Sequence, residues 1–103
     1  MENRVKILIA DGNEDFCGQL KRRLEQVSGY EIVGTAADGQ RAAELMRAAR
    51  PDVLVLDLML AKLDGITVLK RAREMEKPPA ALVLTGFMTE YVANMAVSLG
   101  VQY

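Results

Sequence analysis

The sequence predicts one α/β domain in which a parallel sheet carries helices on both faces. Residues 5–10, 53–56 and 81–84 form mostly apolar runs, and a side chain that carries oxygen directly follows each run. The run at 53–56 is unbroken, which is typical of a strand buried on both faces rather than of one with a wet face. Helical patterns separate the runs, and this alternation indicates parallel strands joined by right-handed crossovers.

The predicted elements alternate regularly along the chain. Strands are predicted at residues 5–10, 31–36, 53–56 and 81–85, with a fifth beginning at 101–103, where the chain stops. Helices are predicted at about 14–27, from 38–39 until Pro51 stops the second one, at about 65–75 and at about 89–99. The expected architecture is the flavodoxin-like order 2-1-3-4-5, truncated at the start of the fifth strand, with residues 1–103 forming one incomplete domain.

Each predicted helix has an apolar stripe that would face the sheet. The stripes are Phe16, Leu20, Leu24 and Val27; Ala42, Leu45, Met46 and Ala49; Ile66, Leu69 and Ala72; and Val92, Met95, Ala96 and Leu99. Asn13 is the expected N-cap of the first helix, because its side chain can accept a hydrogen bond from an amide of the first turn. Cys17 falls beside the first stripe, so we expect it to be buried rather than reactive.

The composition is that of an ordinary soluble domain, with 50% hydrophobic and 26% charged residues among 103. A net charge of −1 gives no overall attraction to nucleic acid or anionic membrane, and the basic clusters at 21–23 and 70–73 are interpreted as solvated helix faces. No apolar run is long enough to span a membrane. The chain contains no histidine, which excludes a histidine base or ligand, and its single cysteine fits a reducing, cytoplasmic location.

The ends of the predicted strands place oxygen-bearing side chains at one edge of the sheet. Asp11 and Asp57 follow the first and third apolar runs, while Thr85 and then Gly86 follow the fourth strand's run. Ligands of open parallel sheets bind beyond the carboxyl ends of the strands. Neighbouring carboxylates repel unless a cation joins them, and oxygen ligands of this kind suit Mg²⁺. Considered alone, Asp57 is equally compatible with a residue that caps the loop after a strand.

Three motifs make essentially the whole chain resemble the receiver domain of two-component response regulators. The motifs are IADGN at the end of the first strand, LVLDLML followed by LDG at the third, and VLTG at the fourth. Each is common alone, whereas all three in this order and spacing are specific. Within the family, PDVLVLD, LDGITVL and SLGVQY are most similar to receivers of stage-zero sporulation regulators from endospore-forming bacteria.

The resemblance implies that Asp57 accepts a phosphoryl group from a phosphohistidine of a histidine kinase or phosphotransfer protein. It further implies that Asp11, Asp57 and the backbone carbonyl of Met59 hold Mg²⁺. Thr85 would contact the phosphoryl group and Gly86 would keep the approach open. Phosphorylation would then shift the loops near Thr85 and regulate an output domain, which in this family suggests control of transcription.

Several positions depart from the pattern of the family. Gly12 stands where receivers usually carry a second acid, which is normally a direct metal ligand, so we expect Mg²⁺ to bind weakly. Leu60 and Ala61 replace the usual Met-Pro pair. The chain stops before the lysine that normally ends the fifth strand, and Tyr103 falls one residue short of the aromatic switch position.

Three interpretations of the site remain open. Asp57 and Thr85 together favour a receiver that is phosphorylated at Asp57. Gly12 favours a degenerate receiver that folds and binds partners without being regulated by phosphorylation. An Mg²⁺-dependent phosphohydrolase also uses an apolar strand ending in aspartate, but it usually needs a second acid two residues later, where Met59 stands.

We expect the 103-residue chain to be only marginally stable alone and to self-associate. Without a complete fifth strand and helix, the fourth strand would form an open edge, and such edges pair with other chains. Sedimentation of the purified chain measures this directly. A monomer that melts cooperatively at high temperature, even at high concentration, would contradict the expectation.

Overall fold

A computed structural model of the chain describes residues 4–60 and 62–84, and the predicted fourth helix and fifth strand lie outside these residues. The described strands are β1 (Val5–Ala10), β2 (Tyr30–Ala36), β3 (Val53–Asp57) and β4 (Ala80–Leu84). The helices between them are α1 (Glu14–Glu25), α2 (Gly39–Ala49) and α3 (Gly65–Arg73). None of these three helices is long and apolar enough to cross a membrane.

All strand pairs are parallel, and the strands lie side by side in the order β2-β1-β3-β4. This is the flavodoxin-like arrangement, so the predicted fold class is confirmed. Because side chains alternate between the two faces of a strand, the two central strands supply two hydrophobic clusters. The larger cluster, with α2 and α3, includes Leu8, Ala10, Leu54 and Leu56, and the smaller one, with α1, includes Ile7, Ile9 and Val55.

Each helix begins at a side chain that caps its first turn. The caps are Asn13 of α1, Asp38 of α2 and Asp64 of α3, whose Oδ1 atoms accept the backbone N–H three residues later at 3.0, 2.9 and 2.9 Å. The predicted cap at Asn13 is therefore confirmed. These hydrogen bonds lower the pKa of Asp38 and of Asp64, because they favour the charged carboxylate. The stability that the two acidic caps contribute is present at neutral pH and is lost as the pH falls through these lowered values.

Two helices end earlier than the sequence predicts. α1 ends at Glu25 rather than at residue 27, because the Gln26 N–H turns back to the Arg23 carbonyl at 3.3 Å. α3 ends at Arg73 rather than at residue 75, and the Glu74 N–H is shared between the carbonyls three and four residues earlier. Such tightened last turns satisfy carbonyl groups that would otherwise have no partner.

The apolar stripe of α1 is narrower than predicted. Cys17 is only 5% exposed, and Leu20 and Leu24 pack against the smaller cluster. Phe16 is 36% exposed and Val27 44% exposed, so their predicted places in the stripe were wrong. The buried face of α1 instead runs through Cys17, Leu20 and Leu24, at the i, i+3, i+7 spacing of a helix, and Phe16 lies to one side of this face. The basic residues at 21–23, 70, 71 and 73 are all exposed, as predicted. Ala72, which lies within the second basic cluster, is buried.

Two glycines allow the helix starts to touch the segment that follows β3. A Cβ atom on Gly65 would overlap the Leu58 backbone and lie 2.9 Å from the Asp57 carbonyl oxygen. The Gly65 N–H also donates to the Leu58 carbonyl at 3.0 Å. At the start of α2, a Cβ atom on Gly39 would overlap the carbonyl group of Leu63. Both contacts require a residue without a side chain.

We expect Gly65→Ala to destabilise the protein by about 1–3 kcal/mol, the usual cost of overpacking a close contact. The matched control is Gly18→Ala within α1, where the nearest described atom to the new Cβ is Arg22 Nη1 at 3.5 Å. Alanine there should stabilise by about 0.5–1 kcal/mol, because glycine is a poor helix former. Urea unfolding of the two variants measures both effects, and equal shifts in the same direction would contradict the close approach of Gly65.

Candidate functional site

The register of the sheet brings Asp11 and Asp57 to its carboxyl edge. Ala10 of β1 pairs with Leu56 of β3, so the next residue of each chain segment is one of the two carboxylates. Both aspartates are half-buried. The structure thus places these two predicted site residues at neighbouring strand ends, where open parallel sheets bind ligands.

Each of the two carboxylates is oriented by the amide two residues further along the chain. Asp11 Oδ1 accepts the Asn13 N–H at 2.8 Å, and Asp57 Oδ1 accepts the Met59 N–H at 2.9 Å. Within the part of the chain that the structure describes, no residue donates a hydrogen bond to either Oδ2 atom. One oxygen of each carboxylate is therefore held by a backbone amide, and the other has no donor among the described residues, which makes it a candidate ligand for a cation.

The backbone of Asp11 is held from both sides. Its N–H donates to the Ala36 carbonyl at 3.0 Å, and its carbonyl accepts the Cys17 thiol at 3.3 Å. Burial raises the pKa of the Cys17 thiol, and the nearby negative charge of Asp11 raises it further. Cys17 therefore stays a protonated, buried donor that ties α1 to the site, as its predicted packing role requires.

The backbone at Met59 is pinned between two buried leucines. Leu58 and Leu60 are 3% and 7% exposed, whereas the Met59 side chain between them is 63% exposed. The apolar side chains on either side thus anchor the chain in the larger cluster. This arrangement keeps the Met59 peptide group close behind Asp57, where its N–H already contacts the carboxylate.

Thr85 and Gly86, the other predicted site residues, lie outside the described residues. Asp57 pairs with Leu84 at the end of β4, and Thr85 is the next residue in the sequence. Their predicted roles therefore remain predictions that follow from the family resemblance.

The donor set fits the Mg²⁺ ion that the resemblance implies. Asp11, Asp57 and the Met59 carbonyl are all hard oxygen ligands, and Mg²⁺ readily keeps waters in its remaining positions. Within residues 4–60 and 62–84, no group of three or more acidic, cysteine or histidine residues is placed to hold a metal. Gly12, next to Asp11, adds no side-chain oxygen, so the described site has two acids.

Sequence reasoning missed the residues that fix the segment between β3 and α3. Asp64 caps α3 and also accepts the Thr67 hydroxyl at 3.1 Å, and the Asp-x-x-Thr spacing was an available signal for this cap. Lys62 adopts a left-handed conformation with φ of 68° and pairs with Asp38. No sequence pattern indicated this, because left-handed positions usually carry glycine or asparagine.

The comparison with known families agrees with this geometry. Residues 7–103 match the family described as "Response regulator receiver domain". Because the match covers nearly the whole chain, the chain belongs to the response regulator receiver domain family. Members of this family are signalling domains rather than enzymes in the usual sense.

Three solved structures illustrate the likeness. The signal receiver domain of the response regulator NarL from Mycobacterium tuberculosis is 28% identical, with a TM-score of 0.87 over 96% of this chain and 80% of that one. A two-component response regulator of the LuxR family from Aurantimonas sp. is 28% identical, with a TM-score of 0.83 over 95% and 70%. A CheX–CheY complex with BeF3 and magnesium from Borrelia burgdorferi is 26% identical, with a TM-score of 0.81 over 93% and 72%.

We expect Gly12→Asp to tighten Mg²⁺ binding by roughly tenfold to a hundredfold. The new carboxylate would add a charged ligand, which is worth about 1–3 kcal/mol by analogy with charge-assisted hydrogen bonds. The structure has room for it, since a Cβ atom on Gly12 would lie 3.6 Å from its nearest described neighbour, the Ala37 carbonyl oxygen. Calorimetric titration with Mg²⁺ measures the affinity. The control is Gly12→Asn, whose side chain is of equal size but uncharged, and it should gain much less affinity for Mg²⁺. Equal gains in the two variants would show that the charge of the added acid is unimportant.

Proposed function

We propose that this receiver domain accepts a phosphoryl group on Asp57 from a phosphohistidine of a histidine kinase or phosphotransfer protein. The observation that carries the proposal is the position of Asp57. It ends β3, one of the two central strands, lies beside the strand end that carries Asp11, and has one carboxylate oxygen held by the Met59 N–H. A nucleophile fixed in this way loses little orientational freedom on reaction.

The proposed transfer forms a bond between an Asp57 carboxylate oxygen and phosphorus. The phosphorus–nitrogen bond of the donor breaks, its electron pair stays on the imidazole nitrogen, and that nitrogen takes up a proton. The Met59 N–H orients the Asp57 carboxylate, and Asp11 supplies a second negative charge at the same edge. Mg²⁺, when bound by Asp11, Asp57 and the Met59 carbonyl, would neutralise the charge that otherwise keeps the phosphoryl group away.

The output of the domain is proposed from the family and its relatives. Thr85 would contact the phosphoryl group after transfer, Gly86 would leave room for it, and the surrounding loops would change conformation. The signal receiver domain of a DNA-binding response regulator from Colwellia psychrerythraea, which is 28% identical to this chain, supports an output through DNA binding and hence through transcription. Similarity of PDVLVLD, LDGITVL and SLGVQY to stage-zero receivers supports a role in sporulation. Both the histidine-bearing partner and the reducing environment suggested by the single cysteine fit the cytoplasm.

Gly12 supports a second candidate, a degenerate receiver that binds partners without phosphorylation. Removing an acid from the edge of the sheet weakens the attraction for Mg²⁺, and without the ion two carboxylates repel an incoming phosphoryl group. The two candidates differ in one measurable property, which is whether Asp57 becomes phosphorylated when Mg²⁺ is saturating.

We expect acetyl phosphate with saturating Mg²⁺ to add one phosphoryl group that hydroxylamine removes, and Asp57→Asn to abolish it. Asparagine keeps an oxygen for the Met59 N–H, so the variant should retain the local structure but lose the nucleophile. Intact-mass analysis before and after hydroxylamine treatment measures both results.

The control is Asp52→Asn at the opposite edge of the sheet. The Asp52 carboxylate likewise accepts a hydrogen bond from a backbone amide, the Lys6 N–H at 2.8 Å. Because Asp52 lies away from the candidate site, this variant should not affect labelling. Undiminished labelling of Asp57→Asn would place the acceptor elsewhere. Failure to label the unaltered chain at saturating Mg²⁺ would favour the degenerate receiver.

A further inference from the structure

An ion pair joins the segment after β3 to the start of α2. Lys62 Nζ lies 3.5 Å from Asp38 Oδ2, and the side chains are 67% and 21% exposed. Asp38 caps α2 through its other oxygen, which accepts the Arg41 N–H at 2.9 Å. One carboxylate therefore connects the first turn of α2 with the segment that leaves the candidate site.

Lys62 makes this contact from an unfavourable backbone conformation. Its φ of 68° lies in the left-handed region, where a Cβ atom crowds the backbone. Arg50, with φ of 48°, is the other such residue in the described chain, but it ends α2, where this conformation is common. Lys62 ends no helix. Conformations of this kind persist where the surroundings fix them, and they are frequent at functional sites.

The contact of Lys62 is reinforced by its neighbour in the sequence. The Leu63 carbonyl lies so close to Gly39 that no Cβ atom would fit there, and Leu63 packs against the larger hydrophobic cluster. On the other side, Leu60 is buried in the same cluster. The described residues that follow Met59 are thus held by contacts with the core and with α2: Leu60 and Leu63 pack in the larger cluster, and Lys62 pairs with Asp38.

We propose that Lys62 is a positioning residue, which acts through Asp38 to hold this segment against α2 and so sets the position of the Met59 carbonyl relative to Asp57. The inference rests on the proposed function, because it takes that carbonyl as an Mg²⁺ ligand. The position of this carbonyl would matter more here than in a site with three acids. With Gly12 in place of an acid, the uncharged carbonyl is one of the three protein ligands of the proposed set, and Mg²⁺ demands near-octahedral geometry.

Positioning and simple charge make opposite predictions for Mg²⁺ affinity. A lysine that acted only through its charge would repel the cation, so its removal would tighten Mg²⁺ binding. A lysine that positions the carbonyl would, on removal, leave the binding of Mg²⁺ weaker. The direction of the change therefore separates the two roles.

The experiment is calorimetric titration of the 103-residue chain with Mg²⁺, without any phosphodonor. Lys62→Met removes the ammonium and keeps the length of the side chain, and Asp38→Asn removes the partner's charge while keeping a good helix cap. We expect each variant to bind Mg²⁺ about two- to fivefold more weakly, the range that an exposed ion pair supplies. The double variant should be no weaker than the more affected single variant, because both remove the same interaction.

A second measurement reports on the backbone itself. Hydrogen exchange of the Met59 amide, which donates to Asp57 Oδ1, should be faster in Lys62→Met without any metal present. Lys77→Met is the matched control, since it removes the same charge from an exposed position before β4, at the opposite edge of the sheet. In Lys77→Met, both the Mg²⁺ affinity and the exchange rate of the Met59 amide should equal those of the unaltered chain.

Unchanged or tighter Mg²⁺ binding in Lys62→Met would overturn the positioning role, as would additive losses in the double variant. Absence of Mg²⁺ binding by the unaltered chain would overturn it as well. Mg²⁺ binding that weakens as expected, together with no labelling of Asp57 by acetyl phosphate, would leave the positioning role standing and contradict the proposed phosphoryl transfer.

Discussion

The pairing of Ala10 with Leu56 in the centre of the sheet is the constraint on which the site depends. Both residues are fully buried, and their neighbours alternate between clusters on opposite faces. A shift of one residue between these strands would turn each side chain to the other face, so the register is strongly fixed. Because the register is fixed, so is the meeting of Asp11 and Asp57 at the edge where the apolar runs stop. The two acids need no contact of their own to be brought together.

Close contacts of the backbone also shape this edge. Gly65 lets α3 begin against Leu58, and Gly39 lets α2 begin against Leu63. The approach of Gly65 to Leu58 and to the Asp57 carbonyl lies directly behind the carboxylate that would react.

Much of the fold followed from sequence because local and long-range signals agree. The unbroken run before Asp57 predicted a strand buried on both faces, and Asn13 predicted the start of α1. Helix ends were less predictable, since the tightened turns at Gln26 and Glu74 depend on hydrogen bonds that no residue type requires. The edge position of Asp11 and Asp57 followed from topology. The left-handed Lys62 did not, because its conformation depends on tertiary contacts with α2 that leave no periodic pattern.

The charge of the site explains how a receiver could work with Gly12. In the proposed site, one Mg²⁺ ion would balance the two carboxylates of Asp11 and Asp57, whereas a third acid would leave an excess negative charge beside the ion. An extra acid attracts the ion more strongly but also repels the phosphoryl group that must approach. With two acids the ion would be held less tightly, yet the edge with the ion bound would present no excess negative charge to an incoming phosphoryl group. If the proposed site binds the ion, Gly12 would therefore lower the affinity for the ion and also lower the repulsion of the phosphoryl group, and the geometry of the Met59 carbonyl would take on part of the role that charge has in a site with three acids.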